Sequence, residues 1–413
     1  MIRFIFPVIL TALVFNVCSR TSEESLNGNI ANPNEPVTTA DRNDLRRETV
    51  EEGFEVTFYP AYGYRSGTDW LIPIRSWVHK NRVLRGQIIT SLAQSKIGCD
   101  ESEIETLKLR FGDFPYNDEF YEKVIIQFDS DPDKEQYLLG KSDVNGLVEK
   151  ELKLSEEKAR KLLESQGSTR GWLTFRAVSD ELTGKGRIRL IEPEGVSVVT
   201  DIDDTIKVTE VPAEKAVILR NTFCRDFVSA SGMAEMYKEM GDVPFHYISG
   251  GPWQLYGPLY DFLISGPGGY PEGTFHFSYF PKNILGRDTR AVLIQTISGS
   301  MKKTYQHKVA QITKLMERFP GRKFILIGDS GELDPEVYRK IRDKHPQQVQ
   351  EIWIRDVKND AEVNPDRLEG MKVIKAESVI CASGKHHENL NEMLQELKRP
   401  AIVKNNLPPC NQQ

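Results

Sequence analysis

Asp201, Asp203 and Asp204 fall within Val198 to Thr205, directly after the apolar run Val196 to Thr200. If that run is a strand, carboxylates at i and i+2 leave it on the same side, and the carboxyl edge of a parallel sheet is where ligands bind. Two such groups divide a phosphoryl transfer between them. One attacks phosphorus and forms an aspartyl-phosphate, while the other protonates the leaving oxygen and later activates water. Asp201 takes the first role and Asp203 the second. The competing reading is a turn that only caps the next helix through Asp204 or Thr205.

Three further segments add groups of the same chemistry. Lys323 to Gly328 runs into Asp329-Ser-Gly-Glu-Leu-Asp334. Mg²⁺ takes hard oxygen ligands and keeps several waters, so Asp201, Asp329 and the backbone carbonyl of Asp203 would suffice; an acidic surface turn is the alternative. Phe245 to Ser249 leads into Gly250-Gly251-Pro252, where a hydroxyl and glycine amides can hold phosphate oxygens. A tight strand-to-helix turn accounts for the glycines equally well. Lys308 is the candidate cation one helix before the Gly-Asp-Ser strand, with Lys302 and Lys303 as competitors; a lysine on an amphipathic helix is ordinarily solvated. His246 sits inside an apolar strand and reads as structural.

The elements that must position these groups follow from periodicity. Val196 to Thr200, Pro244 to Ser249, Lys323 to Gly328 and Glu351 to Val357 are strand candidates. They alternate with helices such as Lys302 to Phe319, whose Tyr305, Val309, Ile312, Leu315, Met316 and Phe319 recur at helical spacing and which Pro320-Gly321 ends. This predicts an α/β fold with a parallel sheet covered on both faces. Before it, short alternating runs (Glu55 to Tyr59, Asp69 to Val78, Glu122 to Phe128, Gly171 to Val178, Arg187 to Ile191) predict a smaller β-rich, sandwich-like domain. Arg82 to Lys96 and Ser155 to Gln166 read as helical insertions.

Composition bounds the rest. The chain has 413 residues, 39% apolar and 28% charged, enough for two cores. A net charge of -6 argues against nucleic acid as a partner. Phe4 to Val17 is an apolar run of fourteen residues ending at Cys18, laid out as a secretion signal and short of the roughly 20 residues of a membrane span. Cys18 at its end resembles a bacterial lipoprotein cleavage site; an ordinary signal cut later is the alternative. Export follows in either case, membrane-anchored in the first and periplasmic or extracellular in the second. The expected organisation is a signal at 1–18, a disordered tether at 19–52, the β-rich domain at 53–194, the catalytic domain at 195–400 and a tail at 401–413. Cys99, Cys224, Cys381 and Cys410 form no metal-type pair and leave disulfides open.

Taken in order, Asp201-Ile-Asp-Asp-Thr-Ile-Lys207, Phe245-His-Tyr-Ile-Ser249 with Pro252-Trp-Gln-Leu-Tyr256, His307-Lys308, and Phe324-Ile-Leu-Ile-Gly-Asp-Ser-Gly-Glu-Leu-Asp-Pro-Glu336 resemble the actin-patch phosphatidate phosphatase family of the haloacid dehalogenase superfamily. The resemblance covers about residues 190 to 357. It implies a Rossmann-like domain that hydrolyses phosphatidate to diacylglycerol and phosphate with Mg²⁺ at a membrane surface. By position it implies Asp201 as nucleophile, Asp203 as acid and base, and Ser249 with Gly250 and Lys308 as the phosphate-holding groups. The implied metal residues are Asp201, Asp203 and Asp329, supported by Asp334. The family usually has a second serine where this chain has Gly251.

Only 45 residues separate Asp203 from Ser249, too few for a large lid, so a bulky or membrane-embedded substrate has access. Trp253 to Phe280 holds nine aromatics in 28 residues; core packing and a lipid-facing surface both account for them. Two rival functions keep part of this reading: a phosphatase of another lipid phosphate or a soluble phosphomonoester, and a non-catalytic lipid-binding module. The sequence leaves the oligomeric state open.

Overall fold

The structure, a computed structural model, describes residues 54–80, 97–111, 117–118, 121–179, 182–213, 215–266, 268–278 and 301–375. The signal and tether at 1–52, the Arg82 to Lys96 helix, Tyr279, Phe280, Cys381, Cys410 and the 401–413 tail lie outside the described residues.

Among the described residues ten strands come first: β1 (Phe54–Phe58), β2 (Ala61–Ser66), β3 (Asp69–Lys80), β4 (Asn117–Asp118), β5 (Lys123–Phe128), β6 (Gln136–Lys141), β7 (Leu147–Ser155), β8 (Trp172–Ala177), β9 (Leu182–Thr183) and β10 (Lys185–Leu190). They form one mixed network in the order β6-β5-β8-β10-β2-β3-β1-β9, with β4 and β7 paired to β3. β2 bonds β10 on one side and β3 on the other, so it joins two arms. Alternation turns Val124, Ile126 and Phe128 of one arm inward, where they meet Val56, Ile72 and Leu152 of the other in a single core. The Ser155 to Gln166 insertion is a helix, Glu156–Ser165, whose N-cap Ser155 accepts the Lys158 amide at 3.2 Å.

Six strands follow: β11 (Gly195–Thr200), β12 (Phe245–Pro252), β13 (Gly273–Ser278), β14 (Arg322–Asp329), β15 (Val349–Asp356) and β16 (Lys372–Lys375). Their order is β13-β12-β11-β14-β15-β16, and every pair is parallel. The near-continuous apolar runs of β11 and β14 are what a sheet buried on both faces requires. Val198, Ile325 and Ile327 point into one layer with Leu219, Phe223 and Tyr237. Val199, Phe324 and Leu326 point into the other, against Ile312, Leu315, Val337 and Ile341. The helices Lys215–Phe223 and Met233–Glu239 thus cover one face, and Met301–Arg318 and Asp334–Lys344 the other. From β11 the chain moves outward to β12 and β13, then crosses back to lay β14 on β11's other side. That reversal opens a crevice at the carboxyl ends of β11 and β14.

Five of the aromatics after Pro252 are core: Trp253, Phe262, Tyr270, Phe275 and Phe277 are buried with Leu259 and Leu263, and Tyr256 and Tyr260 pack half-buried against them. No helix among the described residues is long and apolar enough to cross a membrane. Cys99 is disulfide-bonded to Cys224, 125 residues away. This pins residues 97–111 to the end of the helix Lys215–Phe223. Arg220 Nη2 donates to Glu103 at 2.9 Å, and Arg110 Nη1 to the Thr222 carbonyl at 3.0 Å, across the same seam.

Candidate active site

Asp201 is the first residue after β11, its amide bonded to the Ile327 carbonyl at 2.9 Å, so the backbone at the nucleophile position is held by the neighbouring strand. Its carboxylate is 2% exposed. Oδ1 lies 2.7 Å from Lys308 Nζ, and Oδ2 accepts from Thr205 Oγ1 at 3.3 Å. Burial raises this carboxyl well above the usual carboxylate range; Lys308 opposes the rise, and Asp334, Glu332 and Asp329 add to it.

The next residues fold back on Asp204. It adopts a left-handed φ of 55°, and its carboxylate accepts the amides of Thr209, Glu210 and Val211 at 2.8, 2.7 and 2.6 Å. Asp204 therefore shapes a loop rather than capping a helix. That fold-back buries Lys207 beside Asp203, with Nζ 2.8 Å from Asp203 Oδ1, over the Phe227 ring and bonded to Thr209 Oγ1. Thr209 donates to the same carboxylate oxygen at 2.7 Å. Asp203 Oδ2 accepts from Ser249 Oγ at 3.3 Å. Burial pushes the Asp203 carboxyl up, but Lys207, the Thr209 hydroxyl and Lys308 outweigh it and leave it below its ordinary value.

Lys207→Met is expected to leave a mostly buried carboxylate without its cation, costing about 3 kcal/mol of stability. Asp203 would also lose its orientation, and acid-base catalysis with it, about 10²- to 10⁴-fold. Thermal melts and initial rates on the same preparation check the two effects separately.

Ser249 is buried at the edge where β12 shifts register against β13 between Ser249 and Pro252. Such an irregularity re-aims side chains next to a site. The Gly251 amide donates to Ser249 Oγ at 2.9 Å. A Cβ on Gly250 would stand 2.7 Å from Thr304 Oγ1, so the start of the helix Met301–Arg318 packs directly on this turn. A Cβ on Gly251 would come within 3.1 Å of Ser249 Oγ, so a serine there would have to share the hydroxyl's space.

Among the three competing lysines, Lys302 and Lys303 are exposed and Lys308 is buried. Besides Asp201, Lys308 Nζ touches Asp334 Oδ1 at 2.6 Å and Glu332 Oε2 at 3.0 Å. Asp334 Oδ2 accepts the Asp329 amide at 3.3 Å, so both Asp334 oxygens are engaged within the protein. Asp329 Oδ1 accepts the amides of Gly331 and Glu332 at 2.6 and 3.1 Å. Its Oδ2 is buried with no hydrogen-bond partner among the described residues. Burial raises the Asp329 carboxyl well above the usual range, and Asp334 and Glu332 reinforce it. Ligand atoms of Asp201, Glu332 and Asp334 lie within 4.8 Å of one another. Lys308 spans those three carboxylates, and the neighbouring Asp329 oxygen that lacks a donor is the one a divalent cation would satisfy, as a hard oxygen ligand.

The fold thus brings Asp201, Lys308, Asp329 and Asp334 to one cluster, and Asp203, Ser249 and the Gly250 turn to its side. Lys207, Thr209 and Glu332 join them, and the sequence did not single these out. Lys207 stands inside the Asp-rich motif, which was its one local signal; a lysine in a polar turn otherwise reads as solvated. His246 is fully buried, its Nδ1 2.7 Å from Thr274 Oγ1 and its ring edge-on to Tyr62, as a structural residue would be.

Residues 196–356 match the family model described as phosphatidate phosphatase APP1, catalytic domain. Over 174 residues the chain is 31% identical to phosphatidate phosphatase APP1 of Saccharomyces cerevisiae, covering 41% of this chain and 27% of that protein. It is 24% identical over 247 residues to an uncharacterized Schizosaccharomyces pombe protein, covering 58% of this chain and 36% of the other. The chain therefore spans about a third or less of the length of these curated relatives. A solved carbohydrate esterase structure, with 9% identity and a TM-score of 0.22, is too distant to bear on fold or function. Every group of the cluster lies inside the matched stretch, so the likeness to the phosphatidate phosphatase APP1 catalytic domain runs through the residues that form the site.

Proposed function

We propose that the protein is a Mg²⁺-dependent phosphatidate phosphatase with a haloacid dehalogenase type of catalytic domain, yielding diacylglycerol and phosphate. The observation that carries this reading is the buried Lys308–Asp201 contact of 2.7 Å at the sheet's switch point, with Asp203 held toward Ser249 at 3.3 Å. An Asp201 oxygen attacks phosphorus, and the bond from phosphorus to the glycerol oxygen breaks. Asp203, held ionised by Lys207, relays the proton of the substrate's phosphate monoanion to that oxygen, and diacylglycerol leaves. The Asp203 carboxylate then takes a proton from water, the water oxygen attacks phosphorus, and Asp201 and phosphate separate. Ser249 Oγ and the amides of the Gly250 turn hold the phosphoryl oxygens, and Lys308 offsets their charge. Asp201, Asp329 and the Asp203 carbonyl, with Glu332 and Asp334 behind them, would hold Mg²⁺, which supplies Lewis-acid stabilisation of phosphoryl charge.

The Cys99–Cys224 bond supports an exported location, since disulfides persist in oxidising compartments, and a membrane surface is where the substrate resides. The expected result is phosphate release from phosphatidate in mixed micelles that a chelator abolishes and Mg²⁺ restores. Turnover of small phosphomonoesters with none of phosphatidate would sink the lipid assignment, and release that persists through chelation would sink the metal.

A further inference from the structure

A cavity of roughly 240 Å³ opens beside the cluster. One wall is a single face of the helix Met301–Arg318, where Met301, Thr304, Tyr305 and Lys308 stand at i, i+3, i+4 and i+7. The opposite wall is the loop Val211-Pro212-Ala213, whose path the Asp204 carboxylate sets, and Ile218, Leu333 and Val337 close it. The helix face grades from Met301, 56% exposed, to Lys308, 2% exposed and touching the nucleophile. Seven residues of helix span roughly 10 Å. An occupant therefore meets the Lys308 ammonium with its partners Glu332 and Asp334 at one end, Lys358 also lining the space, and apolar surface from Met301, Val211 and Ile218.

We propose, resting on the phosphatase reading above, that this cavity seats the glycerol ester and first methylene groups of one acyl chain of a lipid phosphate, with the phosphate at the Lys308 end. Its size favours that part of the ligand. At about 30 Å³ per water the space equals roughly eight waters, more than a phosphate fills, yet it is below the roughly 300–1,000 Å³ of pockets that enclose a whole ligand. The remainder of both chains stays in the micelle or membrane. Val211 and Met301 are accordingly the residues that separate lipid from soluble substrates.

The test is the neutral double variant Val211→Thr/Met301→Gln, which adds no charge near the phosphate. It is assayed with dioleoyl phosphatidate in mixed micelles and with p-nitrophenyl phosphate, alongside Met301→Leu and thermal melts. The expected result is a KM for phosphatidate raised about tenfold and kcat/KM for p-nitrophenyl phosphate within about twofold of wild type. Met301→Leu, which keeps the apolar wall, should behave as wild type. An unchanged phosphatidate KM, or equal losses on both substrates, overturns the cavity assignment while leaving the phosphatase intact. A wild-type protein that splits p-nitrophenyl phosphate but not phosphatidate overturns the lipid reading and this inference together.

Discussion

Asp201→Asn is expected to abolish phosphate release, by on the order of 10⁴-fold or more, while the protein stays folded. The amide cannot attack phosphorus or become an acyl phosphate, yet it has nearly the same shape, and its carbonyl oxygen can still accept from Lys308 or Thr205. Stability should not fall. The carboxylate sits among Asp334, Glu332 and Asp329, which oppose its ionisation, so removing its charge relieves repulsion at the same time as it loses the Lys308 attraction. Phosphate release and a thermal melt measured side by side decide this; a wild-type rate in the variant would remove Asp201 from the nucleophile role.

Breaking the Cys99–Cys224 bond should have the largest effect on stability. Closing a loop across 125 residues restricts the unfolded chain by about 4–5 kcal/mol in the chain-entropy view. For a protein of this size that corresponds to a drop of roughly 10 °C in Tm. The Arg220–Glu103 and Arg110–Thr222 contacts remain across the seam, so the fold should loosen locally first. The helix Lys215–Phe223 follows the loop that carries Lys207 and Thr209, so loosening there reaches the orientation of Asp203. Melts of the wild type with and without reductant, and of Cys99→Ser/Cys224→Ser, measure the effect. Identical melting in all three would mean that the bond contributes nothing.

Much of the parallel sheet is legible in the sequence. β11, β14 and β15 lie within two residues of the expected strands, β12 runs three residues past its expected end, and the helix Met301–Arg318 lies within one residue of its expected bounds. Apolar periodicity is a local property of a chain buried on both faces, so it can be read in a window of a few residues. The same holds for Asp201, Ser249 and Asp329: each stands at the end of an apolar run, and strand ends of a parallel sheet face the ligand crevice whatever else the fold does.

The partnerships were decided elsewhere. Lys302, Lys303 and Lys308 look alike in sequence, and only the helix's rotation against β14 and Asp334 buries the third on the nucleophile. Lys207 became the partner of Asp203 because the Asp204 carboxylate pulls the backbone of Thr209 to Val211 around it. The described aromatics after Pro252, for which core packing and a lipid-facing surface both stood open, lie in or against the core because helices and strands far away in sequence cover them. The pairing of Cys99 with Cys224 has no local signal at all. The sequence by itself thus determined the elements and the carboxylates at their ends, beginning with Asp201. Tertiary structure alone decided which charges meet, because a buried ion pair forms only where distant segments exclude water from both partners.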